Sequence, residues 1–307
     1  MRSARRATSL VEMQDCLSHF RSPQSMQRGQ AFRLRPTDVV ISPFAKCGTT
    51  WVQQIVHGLR TRGSMEFDEI TEVVPWLELA YDMGIDLEAP QKAQPRAFKS
   101  HLPWEGLPKG GRYVCVVRDP SDALVSMYRF FEGWFFEAGS ITMDAFARGE
   151  YMARIAPRSY WHHLASWWPQ RVRPDVLLLC FEDMKTDLQR SVHQIANLMA
   201  IEVDHELEDI VMTQSSIEFM RQHGRQFDDH LVRETRDGDC GLPAGARTSK
   251  VRTGRVGDHA RELSAETIDG LNYIWHRDIE TRFGFASYAQ LRRRLSQPSP
   301  CSSGLRP

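Results

Sequence analysis

The sequence of 307 residues lacks the features that are typical of membrane, secreted and zinc proteins. Its longest apolar runs, such as residues 176–180, are much shorter than the ~18 residues of a membrane-spanning helix. No apolar segment follows the arginines of residues 1–11, which argues against a secretory signal and leaves an organelle transit peptide as the alternative. The six cysteines form no CxxC pair, and the eleven histidines form no HExxH motif. These absences predict a cytoplasmic protein without a disulfide framework, a membrane span or a metal site.

Net charge and lysine are also scarce. The 39 basic residues balance 39 acidic residues, which argues against nucleic acid as a partner. Only six of the basic residues are lysines, and the other 33 are arginines. We interpret this excess as a background of codon usage; the alternative is that the few lysines stand where a lysine is required.

Short segments that predict strands alternate with amphipathic helical patterns along the chain, and the first of them, residues 38–42, is apolar and rich in β-branched residues. The segments that predict strands are residues 38–42, 96–100, 112–117 and 175–181. Helices are predicted to begin at Thr49 and Pro120, and apolar faces at helical spacing extend over 188–199 and 265–283. This alternation predicts a single α/β domain of three layers, in which helices cover both faces of a central parallel sheet.

The loop after the first predicted strand has the composition of an anion site. Residues 43–48 include Lys46 and Gly48, and Thr49 and Thr50 begin the next helix. Free N–H groups at the start of a helix, together with a lysine and two hydroxyls, bind phosphate well. The loop is not a Walker A motif, because the lysine precedes the glycine. The alternative is an ordinary strand-to-helix turn with a solvated lysine.

The second predicted strand ends in a histidine. His101 follows Lys99 on the same side of that strand, and a histidine at a strand end can act as a general base. The alternative is a structural histidine that is held by hydrogen bonds. Because ligands of parallel sheets bind at the carboxyl ends of the strands, we expect His101 to face the loop that contains Lys46.

Two further segments are suited to a second phosphate. Arg118 follows the third strand, and Ser126 lies two turns into the next helix, so that both can contact one anion. Arg252 and Gly254 lie in a late loop whose glycines allow close approach of the backbone to a phosphate. The alternatives are an ion pair between Arg118 and an aspartate at the start of its helix, and a solvated late turn.

Six segments, in the same order along the chain, resemble motifs of the sulfotransferases that use 3′-phosphoadenosine-5′-phosphosulfate (PAPS), in the branch of cytosolic and bacterial enzymes that modify small molecules. They are KCGTTW at 46–51, KSHLP at 99–103, RDPSDALVS at 118–126, FEDMK at 181–185, SSIEFM at 215–220 and RTGRVGD at 252–258. The resemblance implies a P-loop-like strand–loop–helix that binds phosphosulfate. It also implies in-line transfer of a sulfuryl group from PAPS to a hydroxyl or an amine, with release of 3′,5′-adenosine bisphosphate (PAP) and without a metal.

The resemblance implies roles for the matched residues. His101 would remove the acceptor proton, Lys46 would hold the bridging oxygen of the leaving phosphate, and Lys99 would stabilise the transferring sulfuryl group. The cofactor-binding residues would be Lys46, Cys47, Gly48, Thr49 and Thr50 at the 5′-phosphosulfate, Arg118, Ser126, Arg252, Thr253 and Gly254 at the 3′-phosphate, and Trp51, Phe181, Ser215 and Ile217 around the adenine.

The sequence departs from the family pattern at several positions. Cys47 replaces the usual serine, and a thiol at a helix start among cations is expected to be acidic, reactive and shielded by bound nucleotide. Thr253 replaces a lysine, which removes one cation from the 3′-phosphate site. Residues 259–268 lack the dimer motif KxxxTVxxxE of the family, so its dimer mode is not expected here.

The acceptor is predicted to be a small molecule, apolar, aromatic or hydroxylated, that binds above the sheet. Phe44, Trp76, Trp104 and Phe131 are the candidate contacts, and the alternative is that the two tryptophans belong to the core. Outside the central sheet, we expect residues 1–35 to form an N-terminal extension, 221–250 to form a mobile lid whose acids suit a cationic or polyhydroxylated acceptor, and 286–307 to form a poorly ordered tail.

Two other functions share part of this pattern. A P-loop kinase of small molecules would have the same sheet and phosphate loop, but its GK[ST] sequence and metal-binding aspartate are not found. A nucleotide-binding module without catalysis would not need Lys46 and His101 together. Activity with ATP and Mg²⁺ would identify the kinase.

Overall fold

The computed structural model describes residues 4–245, 250–252 and 254–297. Its centre is a sheet of four parallel strands: β1 (Val39–Ile41), β2 (Ala97–Lys99), β3 (Arg112–Val117) and β4 (Val176–Cys180). The strands lie in the order β2-β1-β3-β4, and Ile41 lies opposite both Lys99 and Val114. The predicted parallel sheet is confirmed, and each predicted strand is found within one residue of its expected ends.

Helices connect and cover the strands. The α-helices are α1 (Leu10–Ser18), α2 (Pro23–Gln30), α3 (Thr49–Thr61), α4 (Ile70–Val73), α5 (Pro120–Phe131), α6 (Met143–Phe146), α7 (Tyr160–Trp167), α8 (Phe181–Thr186), α9 (Leu188–Met199), α10 (His205–Gln214), α11 (Ile217–Gln222), α12 (His230–Arg236), α13 (His259–Glu262), α14 (Ala265–Trp275), α15 (Thr281–Phe283) and α16 (Tyr288–Ser296). Short 3-10 helices lie at Trp104–Gly106, Trp168–Val172 and Gly224–Phe227, and π-helical turns lie at Ala147–Tyr151 and His276–Glu280. Among the described residues, no helix has both the length and the apolar character needed to cross a membrane.

The sheet is buried on both faces. Val39, Val40 and Ile41 have no exposed surface, as expected for a central parallel strand that helices cover from both sides. Val40 packs into the core cluster that contains residues of α5 and α7, whereas Val39 and Ile41 pack into the cluster that contains residues of α3 and α9. The predicted arrangement of three layers is therefore confirmed.

The predicted N-terminal extension packs along the domain. The backbone N–H of Ala7 donates a hydrogen bond of 3.0 Å to the carbonyl oxygen of Phe135. The hydroxyl of Ser22, which caps α2, donates a hydrogen bond of 2.5 Å to Asp82. At Gly29, an added Cβ would lie 2.4 Å from the carbonyl oxygen of Leu77, so α2 approaches that backbone as closely as glycine allows. The extension therefore forms a wall beside the carboxyl ends of the strands.

The prediction of a poorly ordered tail over 286–307 is wrong for its first part. Helix α16 buries Tyr288 and Leu291 against the domain, because these two apolar residues are spaced three apart on one helical face. The hydroxyl of Tyr288 donates a hydrogen bond of 2.5 Å to Glu182 at the start of α8. Residues 298–307, which belong to the same prediction, lie outside the described residues.

The segment predicted as a lid is folded where the structure describes it. Phe227 and Val232, in and next to α12, are fully buried. The guanidinium of Arg236 donates hydrogen bonds of 2.9 Å to the backbone carbonyls of His19 and Phe20, which joins α12 to the N-terminal helices. The role of residues 221–250 as a lid stays a prediction.

Candidate active site

The loops that follow β1, β2 and β3 meet at one cavity of about 1100 Å³. Lys46, His101 and Arg118, one from each loop, all line it. The same cavity collects most of the other predicted site residues: Phe44, Gly48, Thr49, Thr50, Trp51, Trp76, Lys99, Ser126, Phe131, Phe181, Ser215, Ile217, Arg252 and Gly254. Cys47 and Trp104 do not line it, and Thr253 lies outside the described residues.

The loop before α3 has a tightly bent backbone and unpaired donors, which suit the anion cradle that its sequence predicts. Lys46 and Gly48 both have left-handed backbone conformations, with φ of 69° and 96°, which bend the chain tightly around the loop. Gly48 caps α3, and among the described residues no side chain accepts a hydrogen bond from this helix start. The buried Thr49 Oγ1 also has no hydrogen-bond partner in the described structure. Unused donors therefore surround this end of the cavity.

Lys46 is buried at this end of the cavity, close to other basic side chains. The ammonium of Lys46 lies 3.8 Å from the centre of the Phe130 ring, a cation–π contact. Burial lowers the pKa of Lys46 well below its usual value, and the nearby Lys250 lowers it further. An anion bound beside Lys46 would reverse this effect and favour the charged lysine.

The prediction that Cys47 is an acidic, reactive thiol is wrong. Its side chain has no exposed surface and packs into the apolar core, because the turn of the loop directs it away from the cavity. Burial raises the pKa of the Cys47 thiol to about 12, although Arg118 acts in the opposite direction. Its backbone N–H donates a hydrogen bond of 3.1 Å to the carbonyl of Phe44 and is not free for a phosphate.

His101 is held in one orientation and one tautomer. Its backbone N–H donates to Glu78 at 2.8 Å, and its Nδ1 lies 2.8 Å from the carbonyl oxygen of Pro43. Because a carbonyl only accepts, Nδ1 carries the proton and Nε2 is left with a lone pair. Burial lowers the pKa of His101 well below its usual value, and Lys99 contributes in the same direction. The imidazole is therefore neutral near pH 7 and able to accept a proton.

Lys99 is a buried residue that lines the cavity together with His101. Its side chain is 1% exposed, and its ammonium lies 3.9 Å from the centre of the Trp76 ring. Burial lowers the pKa of Lys99 to about 8, against the opposing effect of Asp229. Its ammonium thus stays mostly charged at neutral pH but titrates within the physiological range.

Several site residues have no motif in the sequence. Asp229 is buried next to Lys99, and its Oδ1 accepts a hydrogen bond of 2.6 Å from Lys250. Glu78 accepts a hydrogen bond from the backbone N–H of His101, and His163 lines the cavity. Asp229 and Lys250 are 21 residues apart, and in the sequence only the many charged residues between 221 and 250 distinguish their segment.

Arg118 connects the loops around the second predicted phosphate position. Its guanidinium donates hydrogen bonds of 3.1 Å to the carbonyls of Lys46 and Arg255 and lies 4.4 Å from the centre of the Phe181 ring. Its Nε is buried and has no hydrogen-bond partner among the described residues. The alternative, an ion pair with an aspartate of its own helix, is not found among the described residues.

The aspartates near Arg118 have other partners. Asp119 caps α5 through the N–H of Ser121 at 2.8 Å. Asp122 accepts hydrogen bonds of 2.8 Å from the N–H of Gly257 and from the ring of His259. These bonds hold the late loop against α5, and with it the cavity residues Arg252 and Gly254.

An aromatic slot lies beside the late loop. The indole N–H of Trp51 donates a hydrogen bond of 2.8 Å to the carbonyl of Ser215, and the ring centres of Trp51 and Phe181 lie 5.5 Å apart. Ser215 Oγ is buried without a hydrogen-bond partner in the described structure. Ile217 lies next to Gly254, at 3.6 Å from the position of a Cβ there. The predicted adenine contacts are thus gathered in one place.

Trp104, a predicted acceptor contact, does not line this cavity. Its ring is partly buried against the core, 4.9 Å from Tyr113 and 5.3 Å from Trp167, measured between ring centres. Phe44, Trp76 and Phe131, by contrast, are buried residues that also line the cavity. Trp76 is therefore both a core residue and a cavity residue, and its contact with an acceptor stays a prediction.

The comparisons with known proteins agree with this arrangement. Residues 36–282 match the family model of the sulfotransferase domain. The protein belongs to the sulfotransferase family. Sulfotransferase 1C2 of Rattus norvegicus is 26% identical to this sulfotransferase over 266 residues, which are 81% of this chain and 86% of the relative. Sulfotransferase 1E1 of Homo sapiens is 31% identical over 207 residues, which are 63% of this chain and 69% of the relative.

Solved structures share the fold of this sulfotransferase. A retinol dehydratase in complex with retinol and PAP superimposes with a TM-score of 0.65 at 19% identity, covering 84% of this chain and 86% of the other. A mouse sulfotransferase complexed with PAP superimposes with a TM-score of 0.65 at 18% identity, covering 90% and 94%. Among the described residues of this sulfotransferase, no three or more His, Cys, Asp or Glu side chains form a group that could hold a metal ion.

Proposed function

We propose that this protein transfers a sulfuryl group from PAPS to a hydroxyl or an amine of a small, largely apolar acceptor and releases PAP. The observation that carries the proposal is the meeting of Lys46, Lys99 and a neutral His101 in one cavity, beside unused phosphate-binding donors. The names of the sulfotransferase relatives and the PAP in the related solved structures support the same donor.

The donor fits the polar groups that the protein leaves without partners. The first turn of α3 and Lys46 would bind the 5′-phosphosulfate, and Thr49 Oγ1 is a spare donor there. The 3′-phosphate would lie by Arg118, whose Nε is unpaired among the described residues, with Ser126, Arg252 and Gly254 around it. Trp51, Phe181, Ser215 and Ile217 would enclose the adenine.

The chemistry follows from the positions of three side chains. His101 Nε2 would accept the proton of the acceptor hydroxyl while its oxygen attacks the sulfur in line with the leaving phosphate. As the bond between sulfur and the bridging oxygen breaks, Lys46 would neutralise the charge on the leaving phosphate, and Lys99 would stabilise the sulfuryl oxygens. Positioning and electrostatic stabilisation account for this reaction without a covalent intermediate.

The acceptor would occupy the part of the cavity between the N-terminal helices and the sheet. Leu17, Phe20 and Met26 line it from one side, and Phe44, Trp76 and Phe131 line it from the other. Such a wall favours an apolar or aromatic body around the reacting group. The acids of the predicted lid are less suited to a cationic acceptor than the sequence indicates, because Asp229 is paired with Lys250 and Asp228 with His230.

The test is a screen of phenols, alcohols, sterols and amines with PAPS, read by mass spectrometry as an increase of one SO₃ unit and as release of PAP. We expect several apolar hydroxyl acceptors to react and His101→Ala to abolish the signal. A parallel incubation with ATP and Mg²⁺ tests for phosphoryl transfer. The proposal is overturned if the protein transfers phosphate there, or if it binds PAP but sulfates none of the acceptors.

A further inference from the structure

Lys99 is a buried cation with an anion and an aromatic ring as its neighbours. The ammonium lies 3.9 Å from Asp229 Oδ1 and 3.9 Å from the centre of the Trp76 ring, on a side chain that is 1% exposed. A buried ammonium loses its hydration, so it needs a nearby negative charge to stay protonated. Among the described residues, Asp229 is the carboxylate recorded in ion-pair contact with it.

Asp229 lacks the side-chain hydrogen bond that usually stabilises the start of a helix. Asp229 occupies the N-cap position of α12, where an aspartate normally accepts hydrogen bonds from the first turn, but its side chain makes no such bond. It also has a left-handed backbone with φ of 61°, which is uncommon for a residue other than glycine. Its carboxylate is directed instead towards Lys99 and Lys250, and such local strain is concentrated at functional sites.

Asp229 is shared unequally between two lysines. Its Oδ1 lies 2.6 Å from the ammonium of Lys250 and 3.9 Å from that of Lys99. Lys250 precedes the late loop with Arg252, which the proposed function places at the 3′-phosphate. The carboxylate therefore joins β2, the start of α12 and the late loop at one point of the cavity wall.

We propose that Asp229 is a positioning residue that holds the Lys99 ammonium charged and in place beside the reacting sulfuryl group, and that Lys250 limits this effect by competing for the same carboxylate oxygen. The inference rests on the proposed function, because that function gives Lys99 its role. It adds two residues that no family motif of the sequence includes.

The charged and titratable groups around Lys99 set the direction of its titration. From the elements packed against it these are Asp229, Lys250, Glu69, Glu78, Lys46 and His101. Asp229 raises the pKa of Lys99 and Lys250 lowers it, so the two have opposite signs. Because the proposed chemistry needs Lys99 protonated, activity is lost as the pH rises through the pKa of Lys99. Removing Asp229 must move that loss to lower pH, and removing Lys250 must move it to higher pH. Asp229 and Lys250 act on the pKa of Lys46 in the same directions, so a cycle in the Lys99→Met background assigns the shift to Lys99.

The experiment compares the pH dependence of kcat/KM for PAPS, which reports the enzyme before PAPS binds, in the wild type, Asp229→Asn and Lys250→Met. We expect the alkaline limb to move down by about one pH unit in Asp229→Asn and up in Lys250→Met. Asp229→Asn should also reduce kcat at pH 7.5 by about threefold or more while PAP affinity changes by less than about twofold, and Asp229→Glu should restore part of the loss. Lys109→Met, which removes a lysine outside the cavity, should leave the profile unchanged.

A double-mutant cycle shows whether Asp229 acts through Lys99. In the Lys99→Met background, Asp229→Asn should cost little further activity, because the lysine that it positions is already absent. If Asp229→Asn unfolds, the double variant Asp229→Asn/Lys250→Met replaces it, because this variant removes one charge of each sign. The alkaline limb of its pH profile should lie near the wild-type position. The inference is overturned if the losses of activity from Lys99→Met and Asp229→Asn are additive. It is also overturned if the alkaline limbs of Asp229→Asn and Lys250→Met move in the same direction or do not move.

The outcomes also separate this inference from the proposed function. A wild type that sulfates acceptors, an impaired Lys99→Met and an unaffected Asp229→Asn would overturn only the positioning role. A fully active Lys99→Met would remove the assigned role of Lys99 and the inference with it. A wild type that binds PAP but transfers no sulfuryl group would overturn both.

Discussion

The carbonyl oxygen of Pro43 accepts a hydrogen bond of 2.8 Å from Nδ1 of His101. This bond joins the loop after β1 to the end of β2, so the phosphate cradle and the base share one rigid connection. It also leaves Nε2 as the site of proton acceptance, with the ring packed edge-on against Trp76 at 5.1 Å between centres. The orientation of the base is therefore set before any substrate binds.

The first prediction concerns the role of His101 as a base. His101→Ala removes the proton acceptor, and we expect kcat to fall by about 10²–10⁴-fold, the usual contribution of general base catalysis. PAP affinity, measured by calorimetry, should change little, because the predicted phosphate ligands are in other loops. Turnover within about tenfold of the wild type would show that another group takes the proton.

Much of this site was accessible from the sequence because its parts are local. Strands β1, β3 and β4 are short apolar runs, and the rule that ligands bind at the carboxyl ends of parallel strands places Lys46, His101 and Arg118 together without knowledge of the packing. Caps such as Asp119 before Pro120 are likewise written in three or four consecutive residues.

The features that the sequence did not predict depend on contacts between distant segments or on the direction of one side chain. The pairing of Asp229 with Lys250 and Lys99 arises where three loops meet. Cys47 lies at a helix start, as expected, but the left-handed turn at Lys46 sends its thiol into the core. Tyr288 and Leu291 lie on one face of α16, but two apolar residues in an Arg- and Ser-rich segment are too weak a pattern to predict a packed helix.

The second prediction concerns stability in acid. Burial lowers the pKa of His57 and of His163 to about 3, whereas both are near 6.5 in an unfolded chain. The depressed pKa means that the folded state keeps these rings neutral, so their contribution is present above about pH 6.5 and is lost as the pH falls towards 3.

Each of these two histidines should therefore reduce the free energy of unfolding by about 1.4 kcal/mol per pH unit within that window. Urea unfolding at pH 7, 6, 5 and 4 measures the slope. His163→Phe removes one of the two titrations and should flatten the curve between pH 6 and 4, even where it changes the stability at pH 7. A variant curve that runs parallel to the wild type over this range would contradict the assignment.

The third prediction concerns thiol reactivity. Because burial raises the pKa of Cys47 to about 12, iodoacetamide at pH 7.5 should label it very slowly in the folded protein, with or without PAP. Cys16 is partly exposed and should react first. Peptide mass spectrometry gives the two rates, and labelling in urea shows that both peptides are detected. Rapid labelling of Cys47 that PAP suppresses would restore the interpretation as an acidic thiol at the phosphate cradle.

The fourth prediction separates the acceptor wall from the core. Phe131 lines the cavity, so Phe131→Ala should raise KM for an apolar acceptor by about tenfold, the value of a lost aromatic contact of 1–2 kcal/mol, and change PAP affinity little. Trp104 packs between Tyr113 and Trp167 instead, so Trp104→Ala should leave the acceptor KM near the wild-type value.

The cost of Trp104→Ala should appear in folding, because removing a large aromatic ring from a packed site typically lowers the free energy of unfolding by about 3–5 kcal/mol. Since the indole of Trp104 is partly exposed, we expect the lower part of this range. Thermal unfolding and acceptor kinetics should be measured on both variants. Trp104→Ala is then the control for the acceptor KM of Phe131→Ala, and Phe131→Ala is the control for the stability of Trp104→Ala. A raised KM in Trp104→Ala with unchanged stability would show that Trp104 contacts the acceptor.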